Sequence, residues 1–357
     1  MTRSCRFSFF GFVSENLKRQ SYGKQSRTGE HLILAGHLAI ALTFAFGGTG
    51  AQAQRSARVP SVGILIATSP SAEKIRLDAL LQGLRELGYV DGKNLAIEWR
   101  YAEGQFERLP DLAAELMQLK VDVIVTTGST STRAAKKVTT TLPIVMAQDN
   151  DPVGNGFVIN LARPGGNITG LSSLAPELSG KQLELLKETV PKLSRVAVFA
   201  QSTNPTYPQS LNEVKLAAGA FSVKLHHLDI LSPKDIENAF RAASKVRADA
   251  FLALASPIFV LKRKQIANLA VINRLPGIYD RREFVDDGGL MSYATNFADL
   301  SRRAATYVDK ILKGAKPADL PVEQPKKFEF IINLKAAKQI GLMIPPNVLA
   351  RADRVIK

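Results

Sequence analysis

Cysteine, histidine and tryptophan are scarce in this chain: its 357 residues hold one Cys, four His and one Trp. A lone cysteine supplies neither a disulfide framework nor a cysteine metal cluster. Beyond residue 46 no apolar run approaches the ~18 residues of a membrane span. Apolar residues at 45% and charged residues at 22% exclude disordered and collagen-like classes. The common enzyme signatures are missing too. There is no G-x-S-x-G elbow and no H-E-x-x-H, Gly180-Lys181 lacks the earlier glycine of a P-loop, and the loop after the first strand, ATSPSAEK, carries no G-x-G-x-x-G. Carboxylates occur throughout, so acid/base work is neither excluded nor favoured.

What is present begins with an export signal. A basic segment with Arg3, Arg6, Lys18, Arg19, Lys24 and Arg27 precedes the apolar run LILAGHLAIALTFAF (32–46). Ala51 and Ala53 then form an A-x-A cleavage pattern. Residues 1–53 are expected to be a cleaved signal peptide. The rival, a retained anchor, suits the run less well, because it is short and contains Gly36 and His37. Cleavage removes six basic and two acidic residues together with Cys5, taking the net charge from +15 to +11.

From Val62 onward short apolar runs alternate with amphipathic segments. Strands are expected at 62–67, 95–101, 121–126, 143–147 and 168–173, with helices over 71–87, around Leu109–Leu116 and over 129–140. After a Gly/Pro-rich stretch (152–170) and a helix at 180–190 the plan repeats. Strands follow at 195–200, 223–229, 249–254, 277–279 and 290–294, separated by helices around 211–221, over 233–247 and over 258–274. This predicts two parallel α/β units. A helix bearing Leu300, Ala304, Tyr307, Val308 and Ile311, then FEFII and another helix, form a tail too small to be a domain. It is expected to pack on, or cross between, the two units.

In open α/β sheets ligands lie beyond the carboxyl ends of the strands. The first strand is followed by Thr68 and Ser69. The third is followed by Thr127, Gly128, Ser129 and Thr130 at a helix start, which suits an anion or is a plain N-cap. The fourth is followed by Gln148, Asp149, Asn150 and Asp151, a cluster of acceptors or an Asx turn. In the second unit Ser202, Asn204 and Tyr207, then Ser256, Asp280 with Arg281, and Tyr293 occupy corresponding positions. His226 and His227 sit side by side on one strand and point to opposite faces, which suits neither a triad nor a metal pair and fits an edge strand.

Several stretches resemble one known family: VGILIATSP, LRELGYVDGKNLAIEWRYAEG, the DPVG turn, LARPGGNITGLSSLAPELSGKQ, REFVDDGGLMSY and the C-terminal LPVEQPKKFEFIINLKAAKQIGLMIPPNVLARADRVI. Together they are similar to the ABC-transporter substrate-binding proteins of the TrpX-like group over residues 59–357. The resemblance implies the type I periplasmic-binding-protein fold: α/β, with two Rossmann-like lobes joined by a multi-segment hinge. Lobe 1 would comprise 59–172 plus 297–323, and lobe 2 173–296 plus 324–357. It further implies an amino acid or related small organic anion bound between the lobes. Thr127, Ser129 and Thr130 would hold its carboxylate, Asp280 would accept from its ammonium, and Asn204 and Ser256 would close over it. The first loop lacks the His-Pro of the tryptophan-binding branch, and Asp280 is followed by Arg281 and Arg282, so the solute is left unnamed.

The expected protein is therefore a periplasmic, monomeric, cofactor-free receptor. Its partners are a small-molecule ligand and an inner-membrane ABC permease with its ATPase, not nucleic acid. Two alternatives stand beside it: an exported α/β enzyme acting on a small solute, and the sensing domain of a regulator. The regulator would need a DNA-binding helix pair where the export signal stands. The excess positive charge reads as solvated helix faces such as Lys262–Lys264.

Overall fold

The apolar runs become the centres of two sheets in the computed structural model, which describes residues 58–357. The export signal expected at 1–53 lies outside the described residues. Among the described residues no helix is long and apolar enough to cross a membrane.

The first sheet is built from β1 (Ser61–Ile66), α1 (Pro70–Glu86), β2 (Ala96–Tyr101), α2 (Leu109–Gln118), β3 (Val123–Thr127), α3 (Ser129–Val138), β4 (Ile144–Asp149) and β5 (Ile168–Ser172). Its strands are all parallel, in the order β2-β1-β3-β4-β5. β1, β3, β4 and β5 are buried along their whole length, whereas edge strand β2 is half-buried. That difference explains why the inner strands read as unbroken apolar runs: helices cover both faces. Along β1 the alternation assigns each side chain to a core. Val62, Ile64 and Ile66 join Leu77, Leu80 and Leu84 of α1, while Leu65 packs with Leu112 and Leu116 of α2.

The second sheet follows α4 (Ala175–Thr189). It takes β6 (Arg195–Ala200), α5 (Tyr207–Ala220), β7 (Lys224–Asp229), α6 (Asp235–Lys245), β8 (Ala250–Ala253), α7 (Pro257–Leu261), α8 (Arg263–Ile272), β9 (Gly277–Tyr279), α9 (Arg282–Asp286) and β10 (Met291–Thr295). The chain then returns to the first sheet as α10 (Phe297–Leu312), which packs along α1 and over β4 and β5. Finally β11 (Phe328–Asn333), α11 (Leu334–Ile340), α12 (Pro346–Leu349) and β12 (Arg354–Ile356) complete the second sheet, in the order β12-β11-β10-β9-β8-β6-β7. The tail therefore contributes to both sheets, and the chain passes between them after β5, after β10 and before β11. All pairings are parallel except β10 with β11. His226 and His227 do lie on an edge strand, β7.

Two helices differ from expectation. α4 begins at Ala175, not residue 180, because Pro176 occupies its first turn, where proline is favoured. Gly180 lies inside this helix and faces Glu213 and Ala217 of α5, so it serves a helix contact and not a break. The expected helix over 258–274 is interrupted at Lys262, whose ψ of 19° ends α7 before α8 starts.

The α1–α10 contact ties the returning segment to the first lobe. It depends on Gly83, where a Cβ would strike the carbonyl oxygen of Arg302 and come within 2.9 Å of the Ala305 methyl. Helix propensity alone would make Gly83→Ala stabilising by about 1 kcal/mol. We expect the reverse, a loss of about 2 kcal/mol from overpacking, measured by urea denaturation.

Candidate functional site

The carboxyl ends of β1, β3 and β4 face those of β6, β8 and β9 across one cavity. At the end of β1, Thr68 lines the cavity and donates to Glu73 Oε1 at 2.7 Å. Ser69 does not line it; it caps α1 by accepting from the Ala72 amide at 3.3 Å. One turn into α1, buried Glu73 forms an ion pair with buried Arg76, and both line the cavity. Burial lowers the Arg76 pKa against the pull of the Glu73 carboxylate.

β3 delivers Thr127, and the chain turns at Gly128, whose φ of +80° is the left-handed region that glycine enters freely. The Gly128 amide donates to the Gln148 carbonyl at 2.9 Å, locking the ends of β3 and β4 together. α3 starts at once with Ser129 and Thr130 and has no side-chain cap, so its first amides remain available beside the cavity. Gln148 lines the same space, and its buried Oε1 has no hydrogen-bond partner among the described residues.

Asp149 lies behind this wall. Its Oδ1 accepts from Ser129 Oγ, the Asp151 amide and Asn155 Nδ2, each at 3.1 Å. Burial pushes its carboxyl up to about 6, and those hydrogen bonds offset only part of the shift. Asp151 points away from the cavity, accepting from the Gly154 amide at 2.8 Å in a local turn.

The second lobe contributes Asn204, Ser256, Pro257, Val260 and Arg281. Asn204 donates to the Ala255 carbonyl at 2.9 Å, and Ser256 caps α7 while donating to Gln201 Oε1 at 2.7 Å. Asp280, the expected ammonium acceptor, is instead committed to Arg281, whose Nε donates to it at 3.1 Å. It borders a separate small space with Gln182 and Phe297. The Arg281 guanidinium stacks 4.6 Å from the centre of the Phe297 ring, and Arg76 lies 5.6 Å from the same ring. Burial opposes the Arg281 charge, but Asp280, Glu73 and Glu283 outweigh it and raise the pKa. Tyr293 is turned outward, against Phe328 and Phe330.

Thr68, Thr127, Gly128, Ser129, Thr130, Gln148, Asn204 and Ser256 thus meet in one cavity, whereas Ser69, Asp149, Asp151, Asp280 and Tyr293 do not line it. Sequence reasoning missed Glu73 and Arg76 as lining residues, and noted Arg281 at a strand end without giving it a binding role. A signal for the first two existed, since positions 73 and 76 extend the buried stripe Leu77, Leu80, Leu84 by one turn. The two lobes also touch directly: Thr206 Oγ1 bonds Ser129 Oγ and accepts from Asn155 Nδ2, both at 3.0 Å.

The sequence profile of the family described as ABC transporter substrate binding protein matches residues 61–356, and the chain belongs to that family. A tyrosine-binding protein of Clostridioides difficile is 24% identical over 319 residues, covering 87% of this chain and 91% of the relative. Among solved structures, a conserved domain protein of Vibrio cholerae is 28% identical with a TM-score of 0.79, covering 84% of this chain and all of that one. An ABC domain of Streptococcus pneumoniae in complex with L-Trp is 26% identical with a TM-score of 0.78, covering 83% and 99%.

Because its folded pKa is raised, Asp149 favours the folded state fully below about pH 4, and that contribution is lost as pH rises through about 6. Asp149→Asn removes the titration while keeping an acceptor oxygen. Relative to the variant, the wild type should lose about 2 kcal/mol between about pH 4 and about pH 7. Urea denaturation of both proteins at the two pH values checks this.

Proposed function

We propose that this substrate-binding protein is an exported receptor that takes one small solute, an amino acid or related organic anion, into the cavity between its lobes and closes on it. The observation that carries this reading is a single cavity lined from both lobes by strand-end hydroxyls, amides and helix amides, with a direct bond between the lobes from Thr206 to the lining residue Ser129. Ligand sites of this kind are concave, enclosed and furnished with few, convergent polar groups. The relatives named for tyrosine and bound to L-Trp support the amino-acid class.

The three passages between the sheets act as the hinge, and the lobes divide near residues 172, 296 and 323. Closure is stabilised only as far as the solute touches both lobes more favourably than one. The closed form then docks on an inner-membrane permease driven by its ATPase. The apolar run and small residues before position 54 support export, and with it a receptor that works in the periplasm. Catalysis is not part of this reading. The two described histidines lie on β7 and do not line the cavity, while the Ser129 hydroxyl is engaged by Asp149 and Thr206.

A thermal-shift screen of amino acids and small organic anions tests the proposal. A true ligand at about 100 times its Kd stabilises by about 2.7 kcal/mol and raises Tm accordingly. Thr206→Val keeps the shape but loses the cross-lobe bond, and should bind the same solute about tenfold more weakly. A screen in which no solute shifts Tm would overturn the receptor reading. Unchanged affinity in the variant would overturn the role of Thr206 in closure.

A further inference from the structure

Resting on the receptor reading above, we propose that the solute is an acidic amino acid, with its second carboxylate held by Arg76 and Arg281 as a pair. Both arginines line the cavity and are more than nine-tenths buried, at 2% and 7% exposure. Arg76 Nε and Arg281 Nη1 have no hydrogen-bond partner among the described residues. A buried guanidinium N–H without an acceptor is costly, and a carboxylate placed between two of them removes that cost.

The protein's own carboxylates are already engaged. Glu73 takes the Thr68 hydroxyl on Oε1 and Arg76 on Oε2. Asp280 takes Arg281 Nε. Glu283 adds a further negative charge acting on both arginines, but it does not line the cavity. The lining itself holds Glu73 against Arg76 and Arg281, a net charge of +1. An acidic amino acid carries −1 and neutralises it.

The other two charged groups of such a solute also find complements in this cavity. Its α-carboxylate suits the uncapped first turn of α3. Its ammonium suits Gln148 Oε1, a buried acceptor without a partner. Among the described residues no aromatic side chain lines the cavity; Phe297 lies against the arginines and does not reach it. An aromatic amino acid would bring a neutral ring to two charged donors and leave them unpaired. The arginine pair therefore selects against the solutes named for the relatives.

The experiment compares L-glutamate and L-aspartate with L-glutamine, L-asparagine, L-tryptophan, L-tyrosine and succinate, using calorimetry on the protein exported from the full chain. We expect one acidic amino acid to bind, about 30-fold tighter than its own amide. Arg281→Gln should erase most of that ratio while changing amide binding little, whereas a merely structural loss would weaken both equally. Arg281→Lys keeps the charge without the fork and should fall between. The wild-type comparison of acid with amide needs no variant, so it stands even if a variant fails to fold. Binding of an amide or an aromatic amino acid as tightly as the acids would overturn this inference and leave the receptor reading intact. Succinate binding more tightly than either acid would overturn it as well, by removing the role of the ammonium. No binding by any member of this set, with a hit elsewhere in the broader screen, overturns the inference alone; no hit in either overturns both.

Discussion

Covering a parallel sheet with helices on both faces leaves its polar work to the strand ends, and the rest of this structure depends on that constraint. β1, β3, β4 and β5 are buried throughout, so none of their side chains can serve a ligand from mid-strand. Chemistry is displaced to the residues immediately after them, where the backbone turns and helix amides emerge. Two such sheets in one chain double the supply of strand ends. The returning segment, with α10 on the first sheet and β11 on the second, ties the two sheets together.

The second determinant is a buried charge cluster at one passage between the lobes. Phe297 opens α10 directly after the chain leaves β10, and its ring receives Arg76 of one lobe and Arg281 of the other. Glu73 pairs with Arg76 and Asp280 with Arg281, so each buried guanidinium has a carboxylate beside it. Desolvation makes such clusters poor sources of stability, and a well-packed apolar set would often do as well. The cluster sits against the cavity, where charge recognition offers a reason for it that stability does not.

Much of the fold was legible because burial on two faces writes itself as an apolar run. The runs at VGILIA, VDVIVT, RVAVFA and DAFLAL became β1, β3, β6 and β8 within one or two residues. What was not legible depended on partners distant in sequence. The helix expected from residue 180 begins at Ala175, with Gly180 packed against α5, and nothing local says that β11 runs antiparallel to β10. The site divides the same way. Hydroxyls at the start of α3 are placed by the strand that precedes them. β9 has only three residues, too few for alternation to decide whether Asp280 or Arg281 turns to the cavity. Sequence reasoning chose the carboxylate, and the structure presents the guanidinium.

That exchange of one residue for its neighbour changes how closure is driven. Had Asp280 faced the cavity, the second lobe would offer a carboxylate to an ammonium. With Arg281 presented, the guanidiniums of the two lobes meet at one aromatic ring, and Glu73 of the first lobe favours the Arg281 charge. The hydrogen bond of Thr206 to Ser129 favours the closed form by only about 1 kcal/mol, typical for neutral groups. A ligand must supply several times that in differential affinity to move a two-state equilibrium decisively. An anion between the arginines supplies it selectively, because its attraction to both is realised only when the lobes meet.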